Sequence, residues 1–250
     1  MMKSTQSPGP TNHSDDAHIL RLSQYCFKRA ETEHEVEQVH RLNYDTFVRE
    51  LHQYQDTGSD HLVDKFHHKN QYIVALRGGR VVGMVAVHDH PPFSVADRLS
   101  DPTVLARLGP RLLEVRLLAI QPGERHRIVF GGLMWSLYEH ARRAGYTHLV
   151  ASGLTDRLEL YERMGFQALG PAVPCGRAAF VPMALALDAV PDEIRRDIDR
   201  WERRIAGDAS ERAAIQPVCL LPGPVQVSPE LREAFVQPSI SHRTRIFVDE

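Results

Sequence analysis

Apolar residues recur along the first half of this chain at the spacings of helices and strands. Between Glu33 and Leu51 they recur at roughly helical intervals, which predicts an amphipathic helix. The apolar runs QYIVAL and VVGMVAV flank RGGR, and this pattern predicts a β-hairpin with a glycine turn. The run LLEVRLLAI, bounded by Pro110 and Pro122, predicts a buried strand.

The second half alternates helical and extended patterns. GGLMWSLYEHARRAGY carries one apolar face and ends at Gly145, as a helix with a glycine cap would. The remaining predicted elements are a strand at HLVAS, a short helix at RLELYERMGF ending at Gly165, and a final strand at AAFVPMALAL, broken by Pro182. This alternation predicts one α/β domain with a mixed sheet over residues 20–188.

Both ends of the chain differ from this domain. Residues 1–19 are polar with two prolines and predict a disordered tail. From Pro191 onward, apolar residues at helical spacing alternate with charges, which predicts a strongly amphipathic helix. We interpret residues 189–214 as a linker helix between two units.

Composition narrows the function classes. The 250 residues are 42% hydrophobic and carry a net charge of −2, so no strong field favours nucleic acid or an anionic membrane. Three distant cysteines without C-x-x-C spacing disfavour disulfides and zinc, and suit a reducing cytoplasm. No segment approaches about 20 consecutive apolar residues, and no signal peptide is recognisable. Cytoplasmic small-molecule chemistry is therefore predicted.

The stretch around the turn GERHR carries the most specific pattern. A strand enters this turn and a helix leaves it, which points unpaired helix N–H groups at an anion such as a diphosphate. With Arg125 twenty residues before Gly145, and with LYERMGF further on, the chain resembles the GNAT acyltransferase superfamily. Ile128 and Phe130 stand where that family's turn has glycines. The resemblance implies a GNAT-like α/β fold, a mixed twisted sheet flanked by helices.

The resemblance also implies a site for an acyl thioester. Its pantetheine would pair with the backbone of the strand, and its phosphates would meet the turn. The implied donor-binding residues are Leu118, Ala119, Ile120, Arg125, His126, Arg127, Ile128, Val129, Phe130 and Gly131. The alternative is that RHR is only a solvated turn before a helix.

Acyl transfer to an amine needs a base for the ammonium and an acid for the leaving thiolate. Glu114, a carboxylate inside an apolar strand, is the candidate base, and we expect burial to raise its pKa. By its match to the family tyrosine, Tyr161 is the candidate acid. The alternatives are an ion pair of Glu114 with Arg116, and a core position for the Tyr161 ring.

The segment VHRLNYDTFVRELHQY at 39–54 is similar to the start of N-acyl amino acid synthases and acyl-homoserine-lactone synthases, which are GNAT relatives. This implies acyl-CoA or acyl-carrier protein as donor and the amine of an amino acid or related small molecule as acceptor. An alternative function is an acyl-CoA-binding regulatory domain with little activity. A third is a scaffold that only assists dimerisation.

Among the 14 histidines, His88 and His90 are spaced so that both could point to one face of a strand. No third ligand follows at convincing spacing, so we predict no metal site. Contact of His88 or His90 with the acceptor remains open.

The stretch LLPGPVQVSPE at 220–230 and Ser241-His242-Arg243 resemble the start of class V, pyridoxal-phosphate-dependent aminotransferases. Residues 215–250 are therefore interpreted as an incomplete aminotransferase domain, the front of a fusion. Pyridoxal phosphate would bind only to the missing part, which would also supply a homodimer contact. The alternative is a tail rich in glycine and proline.

Overall fold

The structure is a computed structural model that describes residues 19–176 and 178–214. Residues 1–18 of the predicted tail and the predicted aminotransferase start at 215–250 lie outside the described residues. In the described part of the chain, strands and helices alternate around one sheet. The strands are β1 (Leu20–Leu22), β2 (Tyr25–Arg29), β3 (Gln71–Arg77), β4 (Arg80–His88), β5 (Leu112–Ile120), β6 (His148–Leu154), β7 (Gln167–Ala168), β8 (Val173–Cys175) and β9 (Ala178–Ala186).

The helices are α1 (Glu33–Asn43), α2 (Thr103–Leu108), α3 (Arg127–Arg143), α4 (Leu158–Arg163) and α5 (Asp192–Ala214). A π-helical turn, Tyr44–Glu50, continues α1, and 3₁₀ turns occur at Ser94–Arg98, Pro122–Glu124 and Thr155–Arg157. A capping box fixes the start of α1: the Thr32 side chain accepts from the Glu35 N–H, and the Glu35 carboxylate accepts from the Thr32 N–H.

The sheet runs in the order β1-β2-β3-β4-β5-β6-β9-β7, and β8 also pairs with β9. In the described residues β5 and β6 are the parallel pair, and the other pairings are antiparallel. This arrangement confirms the predicted α/β class with a mixed sheet. The parallel pairing matters for function because β5 and β6 are connected through α3. The N-terminus of α3 comes one short turn after the end of β5.

Side chains of β3 show how the sheet builds two cores. Ile73 and Ala75 join one cluster with apolar residues of α3 and α5. Tyr72 and Val74 join another cluster with apolar residues of α1. Alternate residues of a strand point to opposite faces, so this buried strand supplies both clusters at once. The helices therefore cover both faces of the sheet.

The strands predicted at QYIVAL, VVGMVAV, LLEVRLLAI and HLVAS are confirmed, and β5 agrees at both ends. The element order is corrected at the N-terminus, where β1 and β2 precede the predicted first helix. Their turn carries no glycine, proline or asparagine, and Ser23 adopts a left-handed φ of 55°. The sequence therefore offered no turn signal for this hairpin.

The expected break at Pro182 is also wrong, because β9 continues through it opposite Ser152 of β6. The Pro182 carbonyl accepts from the Leu169 N–H at 2.8 Å, on the side away from β6. In an antiparallel strand the nitrogen and carbonyl of one residue face the same neighbour. The missing N–H of proline therefore faces away from β6 and removes no bond from the β6–β9 ladder.

The helix predicted from Pro191 is confirmed as α5, and it packs on the domain. Ile194, Ile198, Trp201 and Ile205 all contact the core cluster that contains α3. The residues of α5 up to Asp208 belong to the same compact unit as the sheet. The interpretation of residues 189–214 as a linker between two units stays a prediction.

The Trp201 indole lies directly against Gly131 of α3. A Cβ built at Gly131 would come within 2.1 Å of the Trp201 ring. We expect Gly131→Ala to lower the free energy of unfolding by about 1–3 kcal/mol, because the ring must move out of a packed position. Urea unfolding measures the change.

The matched control is Gly207→Ala, the same change at an exposed position of α5, where an added Cβ meets nothing within 4 Å. It should leave stability unchanged or raise it by about 0.5–1 kcal/mol through helix propensity. Adding Trp201→Ala to Gly131→Ala should cost less than the sum of the two single changes. Full stability of Gly131→Ala would contradict this packing.

Candidate active site

The candidate site is built on β5, where a charged residue occurs inside a buried strand. Glu114 is 1% exposed and lies opposite His88 of β4 in the antiparallel register. On its other side it lies opposite Val150 of β6 in the parallel register. Both neighbouring strands enclose Glu114, so its carboxylate must find partners within the protein.

The 3₁₀ turn at Ser94–Arg98 supplies most of these partners. The backbone N–H of Ser94 donates to Glu114 Oε2 at 2.8 Å, and the N–H of Val95 donates to Oε1 at 2.7 Å. The Ser94 hydroxyl also donates to Oε1 at 2.7 Å. A loop that the hydrophobic pattern left without regular structure therefore closes over the carboxylate.

These contacts reverse the expected pKa of Glu114. Burial alone raises the pKa of this carboxyl, as the sequence suggested. Contacts with His88 and with the hydroxyl and N–H of Ser94 outweigh burial and hold the pKa below its ordinary value of 4.5. The expectation of a pKa raised towards neutrality is wrong, because hydrogen bonds to the ionised form prevail. Glu114 is ionised at neutral pH.

His88 is the second buried polar residue of the site. Its Nε2 lies 2.8 Å from Glu114 Oε2. The ring stacks on Phe93 at a centroid distance of 5.6 Å and meets Phe66 edge-on. Both ring nitrogens are enclosed, and neither makes a well-aligned hydrogen bond among the described residues. His88 is thus held beside Glu114 by the packing of the two phenylalanine rings.

Arg116 and Asp64 extend the polar network around Glu114. Arg116 Nη2 donates to Asp64 Oδ1 at 2.9 Å, and Arg116 Nη1 donates to the Ser94 hydroxyl. Its guanidinium also lies over the Phe66 ring, 4.5 Å from the centroid. The alternative pairing of Arg116 with Glu114 is therefore wrong, because the Ser94 hydroxyl lies between the two groups. The charges alternate in sign along the series Asp64, Arg116, Glu114.

Beside this network β5 loses its pairing with β6. The two strands pair from Leu112–His148 to Val115–Ala151, whereas β6 stays paired with β9 on its other edge as far as Leu154–Phe180. Residues 117–120 keep β4 on one edge and have no described strand on the other. Such an edge presents backbone N–H and C=O groups that can pair with an extended ligand.

An irregularity in β5 marks the start of this open edge. The β4–β5 register shifts between Met84 and Ala86, and Leu117 takes a left-handed φ of 41°. Two residues, Leu117 and Leu118, then oppose one residue of β4, as in a β-bulge. The Leu118 side chain is 38% exposed. The bulge therefore turns an apolar side chain outwards next to the charged network.

In the turn that follows β5, two of the three cationic side chains already contact other residues of the protein. Arg125 donates to the Glu50 carboxylate through both terminal nitrogens, and its Nε donates to the Ile120 carbonyl at 2.9 Å. His126 Nε2 lies 2.9 Å from the Tyr25 hydroxyl. Arg127, the first residue of α3, has no ion-pair partner in the described part of the chain. Of the three predicted cations, Arg127 is the one available to an anion.

The other residues predicted to bind the acyl donor differ in how far their side chains are buried. Ala119, Ile120 and Val129 are buried, and Ile128 and Phe130 pack against the core cluster. The side chains of Ala119, Ile120 and Val129 are therefore enclosed, whereas Ile128 and Phe130 are only partly buried. The backbone of Ala119 and Ile120 still forms part of the open edge. Gly131 faces the Trp201 ring. Close packing of α3 against α5 therefore explains why a glycine stands at this position, and a donor-binding role for Gly131 stays a prediction.

Tyr161 lies beyond the point where β6 leaves β5. Its ring packs on Gly153 of β6, where an added Cβ would come within 2.8 Å of it. The Phe166 ring meets it edge-on at 6.0 Å. Burial raises the pKa of the Tyr161 hydroxyl, and nearby Arg157 opposes this only in part. The hydroxyl is protonated at neutral pH and has no hydrogen-bond partner among the described residues.

A comparison with known families assigns this arrangement. The family model for N-acyl amino acid synthase FeeM matches residues 38–188, which contain the network, the open edge and Tyr161. The chain belongs to the FeeM family. As a FeeM family member, the protein is an acyltransferase. No match is found among curated proteins.

Solved structures share the fold of this FeeM family member at low identity. The CoA-dependent acyl-homoserine lactone synthase BjaI, with SAM and isopentyl-CoA, is 23% identical with a TM-score of 0.56, covering 70% of this chain and 83% of BjaI. FeeM from uncultured soil microbes is 16% identical with a TM-score of 0.55, covering 66% and 92%. The AHL synthase LasI is 16% identical with a TM-score of 0.51, covering 68% and 91%.

Several residues of this acyltransferase site were not selected from the sequence. Ser94 and Asp64 lie in segments to which the hydrophobic pattern assigns no helix or strand. In the sequence, Arg116 stands out only as a possible partner of Glu114, and His88 as a strand residue without a third metal ligand nearby. A second charge two positions after Glu114 was the available signal, because alternate strand residues share a face.

Metal-binding groups of side chains and membrane-spanning helices were both looked for among the described residues. Residues 19–176 and 178–214 contain no group of three or more His, Cys, Asp or Glu side chains arranged to hold a metal ion. Across the same part of the chain, none of the helices combines the length and apolar character needed to cross a membrane.

Proposed function

We propose that this FeeM family acyltransferase moves an acyl group from an acyl thioester to the amine of an amino acid or a related small molecule. The observation that carries the proposal is the open edge of β5 directly beside the buried Glu114 network. A thioester paired along residues 117–120 would bring its carbonyl carbon towards that network. Proximity of donor and acceptor would then supply much of the rate.

The donor is proposed to be acyl-CoA or an acyl-carrier protein thioester. BjaI was solved with isopentyl-CoA, which supports coenzyme A as carrier. In this chain, Arg127 and the first N–H groups of α3 would meet the phosphates. Ile128 and Phe130, which replace turn glycines, pack into the core, so the backbone alone provides the remaining contacts.

Glu114 is proposed to act through Ser94 and not by direct contact with the amine. Its carboxylate already receives contacts from Ser94, Val95 and His88, and it is almost completely buried. The Ser94 hydroxyl, donating to Glu114, can take a proton from the acceptor ammonium as it passes its own proton to the carboxylate. The free amine then attacks the thioester carbonyl, and the C–S bond breaks as the amide forms.

Tyr161 is proposed to protonate the departing thiolate. We expect Tyr161→Phe to lower kcat about 100-fold or more, because the hydroxyl proton is lost while the ring still packs on Gly153. Tyr138→Phe is the control, since Tyr138 packs against the same core cluster from α3. Single-turnover release of thiol measures both variants. Equal rates for Tyr161→Phe and Tyr138→Phe would remove Tyr161 from the mechanism.

The proposed function is tested by thiol release from short to long acyl-CoAs, with and without a pool of amino acids. Release that depends on an amine, together with an N-acyl amino acid seen by mass spectrometry, would support the proposal. The competing function is an acyl-CoA-binding regulatory domain. Thermal stabilisation by acyl-CoA without any release would favour that function.

We also propose that residues 215–250 begin a class V aminotransferase domain, which rests on the LLPGPVQVSPE resemblance alone. The family match ends at residue 188 and does not bear on it. The intact mass of the protein from its native cells tests the fusion. A mass well above 28.3 kDa with bound pyridoxal phosphate would support it, and a mass of 28.3 kDa would contradict it.

A further inference from the structure

Lys69 lies just before β3 and uses its ammonium group on backbone oxygen atoms. Its Nζ donates to the His90 carbonyl at 2.7 Å and to the Pro92 carbonyl at 2.5 Å. In the described part of the chain, no carboxylate lies within ion-pair distance of Lys69. Hydrogen bonds from a charged donor are stronger than those from a neutral one, so this ammonium fixes a short stretch of backbone.

The stretch that Lys69 holds leads directly into the turn that covers Glu114. The next ring along the chain, that of Phe93, stacks on His88 at a centroid distance of 5.6 Å. The N–H groups of the two residues after it donate to the Glu114 carboxylate at 2.8 and 2.7 Å. Because backbone groups move with their neighbours, the place of these N–H donors depends on the carbonyls that Lys69 binds.

The ammonium also packs on an aromatic ring of the same network. Lys69 Nζ lies 4.4 Å from the centroid of the Phe66 ring, and the Arg116 guanidinium lies 4.5 Å from it. The Phe66 ring meets His88 edge-on at 5.6 Å. Lys69 therefore joins the segment that carries Phe66 to the loop that closes over Glu114.

The surroundings of Lys69 lower the pKa of its ammonium group. Burial is the main cause, and the charges of Arg116 and Lys65 act in the same direction. The carboxylates of Glu114 and Asp64 oppose them. The ammonium is partly desolvated and lies within the field of the site, where each carbonyl contact is worth more than in water.

We propose that Lys69 is a positioning residue for acyl transfer, because it holds the backbone from which the Ser94 turn reaches Glu114. This inference rests on the proposed function, in which Ser94 passes a proton to Glu114. Lys69 acts through the turn and contacts neither the thioester nor the amine. Its loss slows the chemical step and leaves donor binding unchanged.

Lys69→Met removes both hydrogen bonds and keeps most of the apolar stem. It should lower kcat for amine-dependent thiol release about 10- to 100-fold, because a small displacement of the Ser94 hydroxyl disrupts the proton relay. The KM for acyl-CoA should stay within about twofold of the wild-type value. Lys69→Arg keeps a charged donor with several N–H groups and should restore at least about a third of the lost activity.

The pH dependence of kcat separates positioning from a purely structural role. Burial raises the pKa of Glu114, but contacts with His88 and Ser94 and the charge of Arg116 hold it below 4.5. In Lys69→Met the Ser94 donors move away, so this pKa rises and the ionised base is lost at a higher pH. The acid limb of kcat should shift upwards by about one pH unit, and Lys69→Arg should reverse the shift.

Lys65→Met is the matched control, because Lys65 lies over the same Phe66 ring at 4.8 Å and makes no hydrogen bond or ion pair among the described residues. It should match the wild type in kcat, KM and pH profile. Urea unfolding checks that both variants are folded under the assay conditions. An unchanged kcat in Lys69→Met, or a lowered kcat with an unshifted acid limb, would overturn the inference and leave acyl transfer intact.

Amide hydrogen exchange of Ser94 and Val95, followed by NMR without substrate, separates the inference from the proposed function. Both amides should exchange at least about 10-fold faster in Lys69→Met than in the wild type or in Lys65→Met. If the wild type transfers acyl groups to no amine, the proposed function fails, and faster exchange would still support positioning of the turn by Lys69. Equal exchange rates would overturn the inference whether or not the protein is active.

Discussion

Glu114→Gln should lower kcat by about 10²- to 10⁴-fold while leaving the KM for acyl-CoA close to that of the wild type. The substitution removes the negative charge that accepts the Ser94 hydroxyl proton and faces His88. The open edge of β5 begins at Leu117 and does not depend on this charge. Amine-dependent thiol release over a range of acyl-CoA concentrations measures both constants.

The same substitution should change how stability depends on pH. The pKa of Glu114 in the folded protein lies below its ordinary value of 4.5, so its ionised form stabilises the fold above that value. This contribution is lost as pH falls from 4.5 through the lowered folded pKa. The wild type should therefore lose stability in acid more steeply than Glu114→Gln, as urea unfolding at several pH values will show.

Glu139→Gln is the matched control for removing a buried carboxylate. Glu139 is 5% exposed on α3 and pairs with Arg142 and Arg143. It should keep its activity. Ser94→Ala tests the relay separately, because it removes only the hydroxyl and leaves both N–H donors to Glu114. Full activity of Ser94→Ala would refute the relay, and full activity of Glu114→Gln would exclude any catalytic contribution of that carboxylate.

Arg116→Met should lower the free energy of unfolding by about 3–5 kcal/mol, because it leaves Asp64 as an uncompensated buried charge. The side chains of Arg116 and Asp64 are 11% and 3% exposed. Asn70 would remain as a hydrogen-bond donor to Asp64 at 2.7 Å but carries no charge. Urea unfolding of the purified variant measures the loss.

The double variant Asp64→Asn with Arg116→Met should lose less stability than the two single changes together, since both buried charges are then removed. Arg49→Met is the control: Arg49 pairs with Asp45 on the exposed face of the π-helical turn, and no measurable change is expected. Additive losses in the double variant would show that the 2.9 Å contact between Asp64 and Arg116 carries no coupling energy.

The position of the central carboxylate could be predicted from the sequence, but its protonation behaviour could not. The burial of Glu114 follows from LLEVRLLAI alone, because a run that is apolar on both faces predicts a strand covered on both faces. The direction of the pKa shift of Glu114 could not be predicted from this run of residues. It depends on N–H groups of Ser94 and Val95, twenty and nineteen positions away, that a loop brings to the carboxylate.

The turn after β5 is the opposite case: its cationic motif is visible in the sequence, but the partners of those cations are not. RHR predicts three cations at the start of a helix. The fold brings Glu50 and Tyr25 to the first two, 75 and 101 positions away in the chain. Among the described residues, Arg127 is the one of the three without such a partner. The sequence could not show this, because partners remote in the chain leave no local pattern.

The sequence by itself determined the central strands, the helices that follow them, and the FeeM-type order of the chain, because hydrophobic periodicity and motif spacing are local properties. The tertiary structure alone decided which charges meet. Asp64 reaches Arg116 across 52 positions, and β6 separates from β5 after Ala151 while it stays paired with β9. Such contacts depend on how strands pair and loops close, and the periodicity of each segment is compatible with many such pairings.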